Sequence, residues 1–139
     1  MEKVLVAVDG SAVSDKALDF AIALVQRGSG ELLIVNVAED LCPLALSELD
    51  VETILDLSRQ EAEATLAAAL SRAKTAGVSA RGITETGSPA EVIDAIAQRE
   101  GVEQVVIGSH GRHGARKLAL GSVSGRVAEW APCTVTIVK

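Results

Sequence analysis

Short apolar runs of strand length constrain this chain more than anything else in it: Val4-Leu5-Val6-Ala7-Val8, Leu32-Leu33-Ile34-Val35-Asn36-Val37 and Val105-Val106-Ile107. None alternates with polar residues in the manner of a half-wet strand, so each reads as a strand buried on both faces. Between them the period changes. Ala17, Leu18, Ala21, Leu24 and Val25 recur at helical spacing before a stop at Gly28-Ser29-Gly30. A longer helix from Ser47 to Ala76 carries Val51, Ile54, Leu55, Ala62, Leu66, Ala69, Leu70 and Ala73 on one stripe and closes at Gly77.

Helix starts are also legible. Ser11 or Ser14 can cap the first helix. Ser88-Pro89-Ala90-Glu91 reads as a cap, a first-turn proline and a capping-box glutamate for a third helix that buries Val92, Ile93 and Ile96. A fourth, capped by Ser122, runs to Trp130 with Val123, Val127 and Trp130 on one side and Arg126 and Glu129 on the wet face.

Two further strands are less apolar. Val78 to Glu85 mixes polar and apolar residues around Gly82, and Thr134 to Val138 alternates. Five strands alternating with four helices imply a parallel sheet with right-handed crossovers and helices on both faces. With strands one, two and four central and strands three and five at the edges, the order 3-2-1-4-5 is favoured over 2-1-3-4-5. The expectation is one Rossmann-like α/β domain over residues 1–139. Its winding reverses between strands one and four, where ligands of open α/β sheets bind beyond the strand carboxyl ends.

The residues that fall at that reversal carry the functional signal. After strand one comes Asp9-Gly10-Ser11; after strand four come Gly108, Ser109, His110, Gly111, Arg112 and Gly114, and then Gly121, Ser122, Val123 and Ser124. A strand that hands over to a glycine-rich loop and then to a helix N-terminus offers unpaired backbone N–H groups to an anion, most often a phosphate.

Composition narrows the choice. A net charge of −6, with one Phe, one Trp and no Tyr, speaks against nucleic acid, which asks for a basic surface and stacking rings. No apolar run approaches a membrane span and the chain goes straight into a strand with no signal-peptide layout, so a soluble, cytoplasmic protein is expected. Cys42 and Cys133 read as reduced thiols.

The spacing Gly108-x2-Gly111-x9-Gly121-Ser122 resembles the nucleotide-binding pattern of the universal stress protein family, in its ATP-binding branch. The resemblance extends over the whole chain, including Ala131-Pro132-Cys133 before the last strand, with Thr134 standing where the family commonly has a second proline. It implies an adenine nucleotide alpha hydrolase-like fold, in agreement with the α/β layer read from the pattern, and usually a homodimer. It further implies ATP or another adenine nucleotide as ligand. Gly108, Ser109, His110 and Gly111 would line the ribose and phosphates, and Gly121, Ser122, Val123 and Ser124 would hold the phosphates. Asp9 would make the polar contact to the adenosine moiety, Ala7 would pack near the base, and the Val37 backbone would read the adenine edge.

Each residue also has a plainer reading. Gly108 and Gly121 also suit a strand exit and a helix start, and Asp9 also suits a cap on the first helix. Arg112, His113, Arg116 and Lys117 could neutralise a polyphosphate or simply be a solvated charged loop. His110 and His113 lack a nearby Cys or carboxylate in ligand spacing, so no metal site is expected. Asp9 is the one carboxylate placed for a Mg²⁺ brought in by phosphates, which allows slow ATP hydrolysis at most. The function expected is an ATP-binding, nucleotide-dependent stress-response regulator that dimerises through its last strand. The alternatives are a dimeric interaction protein without nucleotide and a weak metal-dependent ATPase.

Overall fold

The computed structural model describes residues 2–38, 51–110 and 120–139. In chain order the elements are β1 (Lys3–Ala7), α1 (Ala12–Arg27), β2 (Glu31–Ala38), α2 (Val51–Thr75), β3 (Ala80–Thr86), α3 (Pro89–Glu100), β4 (Gln104–Gly108), α4 (Ser122–Trp130) and β5 (Thr134–Val138). The strands form one parallel sheet in the order β3-β2-β1-β4-β5, the favoured arrangement.

Alternate residues of the apolar strands serve opposite faces, which explains why those strands are apolar throughout. Val4, Val6, Leu32, Ile34 and Val106 pack with Ala17, Leu18, Ala21 and Ile22 of α1 and with Ala69 and Ala73 of α2. Leu5, Leu33, Val35, Val105 and Ile107 pack with Ala90, Ile93 and Ile96 of α3 and with Val127 of α4. Arg72 joins the two helices of the first face through a two-pronged pair with Asp19, both bonds 2.7 Å.

Several local expectations are corrected. Val51 and Leu55 are about half exposed, at 49% and 45%, so the core stripe of α2 begins at Ile54. The packed part of that helix lies on β2 and β3. Gly82 is in β3 because a Cβ there would come within 2.9 Å of the Leu70 side chain of α2. Ser88 occupies the cap position of α3, yet its side chain makes no capping bond, so no reciprocal capping box forms. Gly121, not Ser122, is the N-cap of α4. Trp130 is 48% exposed, its ring 5.6 Å from the Arg126 guanidinium carbon, rather than packed with Val127. Among the described residues no helix is long and apolar enough to cross a membrane.

Candidate functional site

The sheet's winding reversal opens a cavity of about 300 Å³ at the carboxyl ends of β1, β2 and β4. Its making starts where β1 stops. The β1 ladder with β2 runs to the Ala7–Val35 pair, and one more bond, from the Val8 N–H to the Val35 carbonyl at 2.9 Å, completes it. Gly10, at φ 85°, then turns the chain away into α1. β2 continues to Ala38, paired among the described residues only with β3 on its other side. The backbone of Val37 is thus left facing the space that β1 has vacated.

The turn after β1 is held by three short polar contacts. The Asp9 N–H donates to Ser14 Oγ at 2.9 Å, the Ser14 N–H to Ser11 Oγ at 3.1 Å, and the Ser11 N–H to Asp9 Oδ1 at 2.9 Å. Ser11 is therefore the cap of α1, and the buried Ser14 instead fixes Asp9. The Asp9 carboxylate does not cap α1; it braces the turn and lines the cavity.

Across the cavity, β4 ends at Gly108. A Cβ there would lie 2.8 Å from Val13 Cγ1 and 3.3 Å from the Val13 backbone, so close packing against α1 requires glycine. The next residue, Ser109, is buried and does not line the cavity. Its carbonyl accepts the Gly121 N–H and the Ser124 hydroxyl, each at 2.8 Å. This brings the N-terminus of α4 beside the end of β4. In the first helical turn Ser122, Val123 and Ser124 precede the first bond of the helix ladder, from the Gly125 N–H to the Gly121 carbonyl at 2.9 Å, and all three line the cavity with Gly121. The Ser124 hydroxyl is committed to the Ser109 and Gly121 carbonyls, so Ser124 can serve an anion only through its backbone N–H.

Of the residues expected from sequence, Ala7, Asp9, Val37, Gly108, His110, Gly121, Ser122, Val123 and Ser124 surround this one cavity. His110 also hydrogen-bonds through Nδ1 with Ser109 Oγ at 3.1 Å. Gly111, Arg112 and Gly114, with His113, Arg116 and Lys117, lie outside the described residues. Sequence reasoning missed one wall entirely: Ser58, Glu61, Ala62 and Thr65 of α2, spaced as one helical face, close the side beyond β2. It also missed Ser14 and Asn36, and Pro89 and Ile93 at the start of α3. Asn36 carried a readable signal, as the single polar residue in an apolar strand.

The chemistry this arrangement offers is recognition. Backbone donors at a helix start face one end of the cavity, open strand-edge backbone faces the other, and Asp9 and Glu61 supply carboxylates. Among the described residues no group of three or more His, Cys, Asp or Glu is placed to hold a metal ion.

The pattern of the universal stress protein family matches residues 1–139. Universal stress protein YxiE of Bacillus subtilis (strain 168) is 35% identical over 145 residues, covering 99% of this chain and 98% of its own. A universal stress protein solved in complex with cAMP superposes with a TM-score of 0.76 at 26% identity, over 99% of this chain and 97% of its own. A family protein from Arabidopsis thaliana with AMP bound shares the fold, with a TM-score of 0.73 at 21% identity, over 100% and 92% of the two chains. The strand order, the glycine-bounded crevice and the full-length match agree: the chain belongs to the universal stress protein family.

Proposed function

We propose that this protein binds one adenine nucleotide in the crevice between β1 and β4 and acts as a nucleotide-dependent stress-response regulator. The observation that carries the reading is the pairing of two backbone surfaces across one cavity: the first turn of α4 and the open edge at Val37. The α4 N–H groups of Ser122, Val123 and Ser124 take the phosphates. Gly108, His110 and, outside the described residues, Gly111 would line the ribose and phosphates, with Arg112 and Gly114 as further nucleotide-binding candidates. Ser109 acts through its carbonyl, holding α4 in place.

At the other end, the Val37 N–H and C=O match the acceptor and donor on the adenine edge, Ala7 packs beside the base, and Asp9 contacts the adenosine. The cAMP and AMP bound by two structural relatives are adenine nucleotides of this class and support the choice of ligand. ATP with Mg²⁺ is the form expected in the cytoplasm; Asp9 would be the residue to hold a Mg²⁺ brought in by the phosphates. The protein works as a homodimer joined through β5, which is the edge strand of the sheet among the described residues.

The test is direct. Protein purified without added nucleotide is denatured, and released small molecules are identified by chromatography and mass spectrometry. Stoichiometric adenine nucleotide is expected, and its phosphorylation state follows from the mass. An empty protein that also fails to take up added ATP with Mg²⁺, or AMP, overturns the reading.

A further inference from the structure

Asn36 stands at the point where β2 outruns β1. It is 6% exposed, it lines the cavity, and its Nδ2 donates to the Val8 carbonyl at 2.8 Å. That carbonyl has an obvious alternative partner. In a parallel ladder, residues two apart direct their N–H and C=O to the same neighbour, and Val35 directs its carbonyl to the Val8 N–H. Val37 therefore points to the same side, and one further step of the ladder would send its N–H to the Val8 carbonyl and bring the Gly10 N–H to its own carbonyl. Neither bond is present among the described residues. The Asn36 amide holds the first acceptor, and the Asp9 N–H beside it goes to Ser14.

We propose that Asn36 is a positioning residue: by occupying the Val8 carbonyl it ends the β1–β2 ladder one step early and leaves the Val37 N–H and C=O for the Watson–Crick edge of the base. An apolar residue here would leave the Val8 carbonyl buried and unsatisfied, and the nearest donor to repair that loss is the Val37 N–H itself. The site would then close on itself at its base-reading end while its phosphate end stayed unchanged. The base-selectivity half of this inference rests on the adenine-nucleotide reading above. The ladder half does not.

The experiment therefore has two arms on the full chain. In the first, amide hydrogen exchange is followed by NMR without any nucleotide. In the wild type Val37 exchanges much faster than the ladder residue Val35. In Asn36→Leu, and in the smaller Asn36→Ala should the leucine variant fold poorly, Val37 exchange slows at least about tenfold as its N–H takes the Val8 carbonyl. Asn36→His, whose Nδ1–H falls near the place of the asparagine amide nitrogen, restores the fast wild-type rate. A Val37 rate equal in wild type and both apolar variants overturns the proposal.

In the second arm, adenosine and inosine 5′-monophosphates are titrated separately. Inosine presents a donor at N1 and an acceptor at O6, the reverse of adenine, so wild type prefers the adenosine ligand. Asn36→Leu loses about tenfold of that preference, the scale of one hydrogen bond to the base, with inosine monophosphate affinity unchanged. An equal loss for both ligands would mark a structural role and overturn the proposal. Failure of wild type to bind either ligand removes the nucleotide reading and with it the base-selectivity half, and the exchange arm still decides whether Asn36 ends the ladder.

Discussion

The Ser124 hydroxyl donates to the Ser109 carbonyl at 2.8 Å, and that same carbonyl takes the Gly121 N–H at 2.8 Å. One acceptor thus ties the end of β4 to the start of α4, and both ends of the intervening segment are anchored at it. Ser124→Ala removes the buried donor and leaves the Gly121 bond. A loss of about 1 to 2 kcal/mol in unfolding free energy is expected, with cooperative unfolding preserved. Nucleotide affinity should fall with it, because the α4 donors lose part of their fixed spacing from β4. Urea unfolding and titration calorimetry read the two effects; an unchanged urea midpoint would show that the link contributes nothing.

Gly121 leaves little room for a side chain between the start of α4 and the end of β4. A Cβ there would sit 3.1 Å from the Ser109 carbonyl oxygen and 3.4 Å from the His110 Cα. Gly121→Val should displace the helix start from β4 and reduce adenine-nucleotide affinity by at least about a hundredfold, roughly the loss of two good contacts. Far-ultraviolet circular dichroism should stay that of wild type. Unchanged affinity in a folded variant would sink the phosphate-cradle assignment.

Two other glycines separate packing from ligand space. Gly108→Ala drives a Cβ to within 2.8 Å of Val13 Cγ1 and against the α1 backbone, so it should cost about 1 to 3 kcal/mol with or without ligand. Gly125, inside α4, would meet nothing within 4 Å. Gly125→Ala should therefore stabilise by about 0.5 to 1 kcal/mol through helix propensity. Thermal unfolding of the two variants should move in opposite directions; equal shifts would contradict the packing assignment.

The pH response has one readable component. The Arg81 guanidinium, hydrogen-bonded to the Glu100 carboxylate, holds it below its ordinary value of 4.5; desolvation opposes this, and the charges of Arg81, Lys3 and Arg99 add to the lowering. A carboxylate whose folded pKa is depressed adds stability that is complete above the unfolded value and disappears as pH falls through the folded one. Arg81→Met should therefore flatten the loss of stability below about pH 4.5 and leave the curve near pH 7 parallel to wild type. Because the Arg81 side chain is half exposed, 1 M salt should narrow the difference between the two proteins. Identical acid limbs would contradict the assignment.

Strand order and core were legible because burial dictates them. Val4 to Val6 and Leu32 to Val35 are apolar on both faces only because both faces are covered, and the mixed β3 and alternating β5 do stand at the edges. The cavity's floor was legible for the same reason, since a parallel sheet of this order has one reversal. The α2 wall was not. Ser58, Glu61 and Thr65 lie off the apolar stripe that marks the helix in sequence, and only the folded chain brings them to the cavity. Gly108 was ambiguous in a different way, since a tight approach to α1 and a tight approach to a ligand leave the same mark in sequence. The roles of Ser109 and Ser124 also depend on a contact between residues 15 apart, which no local pattern encodes.

The central claim is that one nucleotide touches both ends of the β1–β4 crevice at once. A titration of isotopically labelled protein with adenosine 5′-monophosphate and with ATP and Mg²⁺, followed through backbone amide shifts, tests it most directly. Saturable shifts are predicted at Val37, Asp9, Gly108 and Gly121 to Ser124, with β3 and the far ends of α1 and α3 unmoved. Shifts absent at every concentration, or confined to surfaces away from this crevice, would contradict the account.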